Sequence, residues 1–283
     1  IIIDKLRLEF KIPTFFKLED IRSILEYHSL GQIWILDNKR VDINSYIDII
    51  LKFSVDLLII NLRDKPILGT ENLINNKYQF DNYEISKFYG FNLFIKIFLD
   101  KILSLFFLII LSPVFFLSLL LIYLEDGYPL FFTQDRTGWD GRRFKIYKIR
   151  SLKNDKFDTK IQVKKNDSRL LKFGKIIRRL SIDELPQFYN VLIGDMSIVG
   201  PRPHMVQHDI LYSGLFDSFL KRHKASPGLT GWAQVNGFRG ETPTADLMKK
   251  RMEYDLWYLK NWSIWLDLYI IFKTFYVIFK KPS

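Results

Sequence analysis

One stretch of the sequence limits the fold more than any other, because residues 102–124 contain no charged side chain. As a helix rising about 1.5 Å per residue, this stretch can cross the roughly 30 Å hydrocarbon layer of a bilayer. Ser112-Pro113 lies at its centre. Proline removes a backbone hydrogen bond and the serine hydroxyl can satisfy the freed carbonyl, so the pair predicts a bend. These residues alone favour a kinked transmembrane helix and a re-entrant hairpin equally.

Positive charge is concentrated in the C-terminal part of the chain. Residues 1–90 hold 12 basic and 13 acidic side chains, whereas residues 91–283 hold 30 and 18, a net charge of +12. Such a surplus indicates a polyanionic partner, which can be nucleic acid, an anionic membrane surface or a phosphorylated small molecule. The chain has no cysteine, which excludes thiolate nucleophiles, iron–sulfur clusters and disulfides.

Hydrophobic periodicity predicts a small α/β unit in the first 80 or so residues. Strands are expected over 32–36 and 56–62, and helices over 18–26 and 43–53. Further along, the pattern predicts three more segments. These are a basic hairpin over 130–150 with a two-residue turn at Asp140-Gly141, a basic helix over 169–179 and an aromatic-rich helical segment over 244–280. The last segment suits a helix lying in the membrane interface.

The densest polar cluster is RRLSIDELP, residues 178–186. Its adjacent carboxylates, Asp183 and Glu184, follow two arginines. That arrangement suits a phosphate site in which one carboxylate reacts and the other binds a divalent metal. A helix cap explains the same residues, either as a capping box of Ser181 with Glu184 or with Asp183 as the cap. Taken alone, the cluster favours the cap.

Two downstream segments carry further candidates for binding phosphate or nucleotide. Arg202 lies between two prolines in GDMSIVGPRP, residues 194–203, and the prolines restrict its backbone for a fork-shaped contact with phosphate. Gln234 and Arg239 lie in the glycine-rich SPGLTGWAQVNGFRG, residues 226–240, a composition found in nucleotide-binding loops. An arginine between two prolines is equally consistent with an ordinary surface turn.

Taken in order, these motifs resemble the bacterial sugar transferases, the monotopic polyprenyl-phosphate phosphoglycosyl transferases. The resemblance covers about residues 92–280 and is most similar to the undecaprenyl-phosphate glucose phosphotransferase branch. Besides Ser112-Pro113, it rests on FFTQDRTG, FKIYKIRS, RRLSIDELPQFYNVLIGDMSIVGPRP, SPGLTGWAQVNGFRGET and EYDLWYLKNWSIWLDLYIIFKT.

The resemblance implies a mixed α/β architecture in three parts. Residues 1–90 are expected to form an incomplete, Rossmann-like, nucleotide-binding-like α/β domain. Residues 91–124 are expected to form a re-entrant membrane helix-break-helix, with the break at Ser112-Pro113. A mainly helical catalytic domain, residues 125–283, would carry a short β-hairpin and interfacial amphipathic helices.

It also implies a reaction, in which a sugar 1-phosphate passes from a UDP-sugar to undecaprenyl phosphate and UMP is released. Glucose is expected as the sugar, with galactose next, in the first membrane step of exopolysaccharide, capsule or O-antigen synthesis. Asp183 would be the nucleophile of a phosphosugar-aspartyl intermediate, and Glu184 would bind Mg²⁺. Substrate phosphates and nucleotide are expected to contact Lys148, Arg178, Arg202, Gln234 and Arg239.

The expected location is the cytoplasmic face of the bacterial inner membrane. Membrane lipid is an expected partner, nucleic acid is not, and homo-oligomerisation is left open.

Two other functions are consistent with parts of the sequence. One is a metal-dependent phosphodiester hydrolase with Glu184 and Asp195 as ligands and no covalent step. The other is a basic, membrane-tethered nucleic-acid binder, although no recognised nucleic-acid motif is present. An inert dyad would leave a non-catalytic membrane scaffold.

Overall fold

A computed structural model describes residues 32–37, 46–47, 50, 56–62, 78–84, 87–88, 90–153, 167–216, 219–240 and 244–280. The chain divides into two compact units, Ile1–Ile85 and Ser86–Ser283.

The first unit contains a three-stranded sheet in the order β1-β2-β3. Strand β1 (Gln32–Asp37) pairs in parallel with β2 (Asp56–Leu62), and β2 pairs antiparallel with β3 (Tyr78–Glu84). Both predicted strands are confirmed. The helix predicted over 18–26 lies outside the described residues, and a Rossmann-like arrangement stays a prediction. Within the second predicted helix, the described helical residues are Tyr46, Ile47 and Ile50.

The second unit begins with a long apolar helix, followed by a β-hairpin and a helical domain. Its helices are α1 (Gly90–Asp126), α2 (Lys172–Arg179), α3 (Gln187–Ile193), α4 (Val206–Leu215), α5 (Ala245–Asn261) and α6 (Ile264–Lys280). Its strands are β4 (Phe131–Thr137), β5 (Arg143–Ile149), β6 (Ser197–Val199) and β7 (Gly228–Thr230). The predicted basic helix therefore begins three residues late, and the C-terminal segment is two helices.

Helix α1 is continuous across Pro113, so the predicted break at Ser112-Pro113 is wrong as an interruption of secondary structure. Proline has no amide hydrogen to donate to the carbonyl of Ile109, four residues earlier. The hydroxyl of Ser112 donates to that carbonyl instead, at 2.7 Å. Because the freed acceptor regains a partner, the helix can continue through the proline.

Both ends of α1 contact the helical domain of the same unit. Near the start, Lys96 Nζ lies 2.7 Å from Asp267 Oδ2 on α6. In the middle, the Ser104 hydroxyl donates to the carbonyl of Phe188 on α3 at 2.6 Å. At the end, the carboxylate of Glu125 accepts from two backbone amides in the first turn of α2, at 2.5 and 2.9 Å. The helix is therefore held against the domain along its length.

The opposite side of α1 is an exposed apolar surface. Within the described part of the chain, α1 is the one helix long and apolar enough to cross a membrane. Its exposed side chains include Phe91, Phe94, Phe98, Leu105, Phe106, Ile109, Phe116, Leu120 and Leu124. Helix α6 exposes Trp265, Tyr269, Phe272, Phe275 and Tyr276. Apolar surfaces of this extent mark contacts with a membrane or another protein.

The hairpin has a longer turn than the sequence predicted. Strands β4 and β5 pair from Phe131 with Ile149 to Thr137 with Arg143, which leaves residues 138–142 in the loop. The amide of Gly138 donates to the carbonyl of Arg142 at 2.7 Å and closes this loop. The predicted two-residue turn at Asp140-Gly141 is therefore wrong, although both residues have a positive φ.

A short parallel pair, β6 with β7, joins the two segments that carry the downstream candidates. Backbone approaches backbone here at two glycines. A Cβ on Gly200 would lie 2.3 Å from the carbonyl oxygen of Ser226, and one on Gly228 would lie 2.1 Å from the Gly200 nitrogen. Only glycine permits this approach. The pairing brings the loop after β6 next to the loop after β7.

Candidate active site

The dyad lies in a 3₁₀ turn, Ile182–Glu184, between α2 and α3. Ser181 precedes the turn in a left-handed conformation, with φ 60°, and its side chain makes no capping hydrogen bond. Its hydroxyl accepts instead from Arg239 Nη2 at 2.6 Å. The residue flanking the start of α3 is Pro186, so Asp183 does not cap that helix either. Both cap interpretations are wrong, and the dyad is available for chemistry.

Glu184 is held by cations from three separate elements. Its Oε1 lies 2.7 Å from Lys148 Nζ on β5 and 2.7 Å from Arg202 Nη2 in the loop after β6. Its Oε2 lies 3.6 Å from Arg239 Nη2 after the π-helical turn Gln234–Phe238. Burial alone would raise the pKa of Glu184, but Arg202 and Lys148 outweigh it and hold that pKa well below its usual range.

Asp183 is in the opposite electrostatic state, although it is also buried. None of the ion pairs within the described part of the chain includes its carboxylate. Burial raises its pKa from 3.8 to about 6 against the opposing charge of Lys148, and the charge of Glu184 adds to the rise. At neutral pH the group is therefore ionised, and no cation among the described residues forms an ion pair with it.

The remaining predicted residues lie around this pair. Arg178 occupies the last turn of α2, and its charge acts on the pKa of Asp183. Gln234 is buried, and its Nε2 has no hydrogen-bond partner in the described part of the chain. It lines a small cavity that Arg239 also lines, together with Leu229, Thr230, Val235, Thr274 and Val277. Arg239 thus connects this cavity to Glu184.

Two residues that the sequence did not single out support the site. Asn190, fully buried on α3, donates to the carbonyl of Lys145 at 2.7 Å and accepts from the amide of Tyr147 at 3.2 Å. It therefore fixes β5, which carries Lys148, against the helix that follows the dyad. Arg222 Nη2 donates to the carbonyl of Arg202 at 2.7 Å. Arg222 stands in the basic run LKRHK, a pattern typical of a solvated surface, so its role had no sequence signal.

The acidic residues of this site fit a magnesium ion that binds together with a phosphorylated substrate. Among the described residues, no group of three His, Asp or Glu side chains could hold a metal by itself. Magnesium commonly uses one or two protein carboxylates, with substrate phosphates and water completing its shell. Glu184 can supply one such carboxylate, whereas the surrounding cations disfavour a lone divalent ion.

The geometry defines a buried carboxylate pair surrounded by cations, beside a large apolar surface. Comparison of the sequence supplies the family, because the sequence model of the bacterial sugar transferases matches residues 91–281. The chain belongs to that family.

Several relatives carry names that describe a reaction. A UDP-glucose:undecaprenyl-phosphate glucose-1-phosphate transferase of Klebsiella pneumoniae is 48% identical over 197 residues, 69% of this chain and 42% of the relative. Its namesake in Escherichia coli K12 is 48% identical over 188 residues, 65% of this chain and 40% of the relative. A UDP-N-acetylgalactosamine-undecaprenyl-phosphate N-acetylgalactosaminephosphotransferase of Aeromonas hydrophila is 40% identical over 182 residues, 64% of this chain and 43% of the relative. The matched part spans about two fifths of these relatives.

Proposed function

We propose that this chain transfers a sugar 1-phosphate from a UDP-sugar to undecaprenyl phosphate through a covalent intermediate on Asp183. The observation that carries the proposal is the opposite state of two adjacent carboxylates. Glu184 is held by cations, whereas Asp183 has a pKa near 6 and no ion pair in the described part of the chain. A carboxylate that is ionised at neutral pH and has no paired cation is suited to attack phosphorus.

The reaction consists of two displacements at one phosphorus atom. In the first, a carboxylate oxygen of Asp183 bonds to the sugar-side phosphorus, and the bond to the bridging oxygen breaks. UMP leaves with that electron pair. In the second, a phosphate oxygen of undecaprenyl phosphate attacks the same phosphorus, the bond to Asp183 breaks and the carboxylate is restored. The product is undecaprenyl diphosphate sugar.

The cations around the dyad would bind the donor diphosphate. Lys148, Arg202 and Arg239 converge on one carboxylate, so positive charge is in excess where the phosphates must lie. Phosphate oxygens can take over hydrogen bonds that Glu184 accepts in the absence of substrate. Magnesium, bound by Glu184 and substrate phosphates, would add positive charge at the leaving phosphate. The amide nitrogen of Gln234, which has no partner among the described residues, offers a donor for nucleotide or sugar.

Glucose is the proposed sugar, with galactose next, in exopolysaccharide, capsule or O-antigen synthesis. The support is the activity for which the Klebsiella and Escherichia relatives are named. Incubating the protein with undecaprenyl phosphate and a panel of UDP-sugars tests the assignment. UDP-glucose should release UMP fastest, and a faster reaction with UDP-N-acetylgalactosamine would contradict it.

Helix α1 is proposed to enter and leave the bilayer on the cytoplasmic face of the inner membrane. From Lys96 to Asp126 a straight helix rises about 45 Å, more than the roughly 30 Å hydrocarbon layer. A folded unit that contacts both ends of a straight spanning helix would have to lie inside the bilayer. The contacts of Lys96 and Glu125 with one domain therefore support a re-entrant path.

Cysteine labelling tests this path without background, because the chain has no cysteine. Phe91 and Tyr128 flank the apolar stretch and are highly exposed. Single cysteines at these positions should both react with an impermeant reagent from the cytoplasmic side. Labelling from opposite sides would contradict the re-entrant path.

Isotope exchange tests the covalent step directly. Without undecaprenyl phosphate, labelled UMP should enter UDP-glucose, because the first displacement is reversible and needs no acceptor. Asp183→Asn should abolish this exchange. If no exchange occurs and glucose 1-phosphate accumulates instead, a hydrolase is the better description.

A further inference from the structure

Behind the phosphate-binding arginines lie two more arginines that are almost completely buried. Arg222, in the 3₁₀ segment Phe219–Lys224, has 2% of its surface exposed, and Arg251 on α5 has 5%. Neither contributes to an ion pair with Glu184 in the described part of the chain. A guanidinium is rarely buried so deeply unless its hydrogen bonds and charge are satisfied, so their partners indicate what they do.

Each buried arginine binds the backbone at or beside one of the arginines that face Glu184. Arg222 Nη2 donates to the carbonyl of Arg202 at 2.7 Å. Arg251 Nη2 donates to the carbonyl of Gly240, the residue that follows Arg239. Arg222 and Arg251 belong to two separate elements. Each therefore holds the backbone of one segment whose own arginine faces Glu184.

Asp255 and His204 connect the two buried arginines. Asp255, one turn after Arg251 on α5, accepts from Arg222 at 2.8 Å, and its charge also acts on Arg251. The ring of His204 lies between the arginines, with its Nε2 3.2 Å from Arg222 Nη1 and 3.4 Å from Arg251 Nη1. Burial, followed by the charges of both arginines, lowers the pKa of His204 well below its usual range. The neutral ring can therefore accept a hydrogen bond.

We propose that Arg222, Arg251 and Asp255 form a buried positioning layer that sets where the guanidinium groups of Arg202 and Arg239 meet the donor phosphates. The inference rests on the proposed function, in which those two arginines bind phosphate. The layer touches no substrate and acts through the backbone that it holds. A displacement of about 1 Å at such a group can reduce the rate strongly, because phosphate contacts depend on geometry.

A double-variant cycle separates positioning from general stability. Kinetic constants for UDP-glucose are measured for Arg202→Gln, Arg222→Gln and the pair, at a temperature where thermal unfolding shows each to be folded. Alone, Arg222→Gln should lower kcat/KM by about tenfold, within the range of coupling between residues in contact. In the Arg202→Gln background it should lower kcat/KM by less than about threefold, since little remains to be positioned.

Lys148→Met provides the matched comparison. Lys148 contacts the same Glu184 oxygen but belongs to β5, so Arg222→Gln should retain most of its tenfold effect in that background. Equal effects of Arg222→Gln in the wild-type, Arg202→Gln and Lys148→Met backgrounds would overturn the positioning layer. Full activity of Arg202→Gln would overturn the proposed phosphate-binding role as well, so the two failures are distinguishable.

A second variant covers the case in which Arg222→Gln does not fold. Asp255→Asn keeps the shape of the side chain, and the combined variant Arg222→Gln/Asp255→Asn removes both members of the buried Arg222–Asp255 ion pair instead of one. The combined variant should show the same loss of kcat/KM and the same dependence on Arg202. A folded combined variant with unchanged kinetics would overturn the proposal.

Discussion

Replacing the nucleophile should make the folded protein more stable, and the gain should depend on pH. Asp183 is a buried carboxyl whose pKa rises from 3.8 to about 6 on folding. A pKa that rises by one on folding corresponds to about 1.4 kcal/mol, so ionised Asp183 destabilises the folded state by on the order of 3 kcal/mol. Asp183→Asn keeps the shape of the side chain and removes the charge, so the variant should lose this cost.

The sign follows from protonation. Below pH 3.8 the carboxyl is protonated in both the folded and the unfolded chain, so Asp183 carries no penalty. As pH rises from 3.8 to about 6, the unfolded chain releases this proton while the native carboxyl keeps it, so stability falls and the full cost is reached above pH 6. Asp183→Asn should therefore unfold roughly 6 to 12 °C above wild type at pH 7.5. Most of that difference should disappear at pH 4.

Thermal unfolding in one detergent at several pH values measures the effect, and the neighbouring carboxylate is the matched control. The pKa of Glu184 is held well below its usual range, so its charge stabilises the folded state at neutral pH. Glu184→Gln should therefore lower the unfolding temperature at pH 7.5. A destabilised Asp183→Asn, or a gain that is the same at pH 4 and pH 7.5, would refute the electrostatic account of the dyad.

Three further expectations concern catalysis and the membrane helix. The rate of covalent adduct formation should fall about tenfold from pH 7 to pH 5 as Asp183 protonates, whereas a single-turnover rate that is flat over this range would contradict its raised pKa. Pro113→Ala restores an amide donor, so part of the population should show the two cysteine reporters on opposite membrane faces; unchanged labelling would show that the domain contacts alone fix the path. Ser112→Ala leaves the carbonyl of Ile109 without its hydroxyl donor, which should weaken the helix locally by about 1 kcal/mol, and hydrogen exchange at its centre should accelerate; unchanged exchange would contradict this.

Local pattern was enough to predict most elements of the fold. The strands 32–36 and 56–62, the hairpin, and the helical character of residues 244–280 follow from periodicity, and the described elements confirm them. The uncharged stretch predicted α1, but not its continuity. Whether proline breaks a helix depends on whether another donor reaches the freed carbonyl, and Ser112 does so.

The candidate site was only partly predictable, because its contacts join distant parts of the chain. Local sequence favoured a helix cap at either Ser181 or Asp183, but the Ser181 hydroxyl binds Arg239, 58 residues away. The raised pKa of Asp183 and the lowered pKa of Glu184 likewise depend on side chains from β5 and from two loops. Arg222 lies in a run of basic residues that looks solvated, and it is buried because Asp255 neutralises it from a helix 33 residues further on.

The central claim is that Asp183 carries the sugar phosphate between donor and acceptor. Intact-mass spectrometry of the protein incubated with UDP-glucose and magnesium, without undecaprenyl phosphate, tests it most directly. The account predicts a mass increase of one hexose phosphate, mapped by peptide sequencing to Asp183, absent in Asp183→Asn and removed when undecaprenyl phosphate is added. An unmodified protein that nevertheless turns over once the acceptor is present would contradict it.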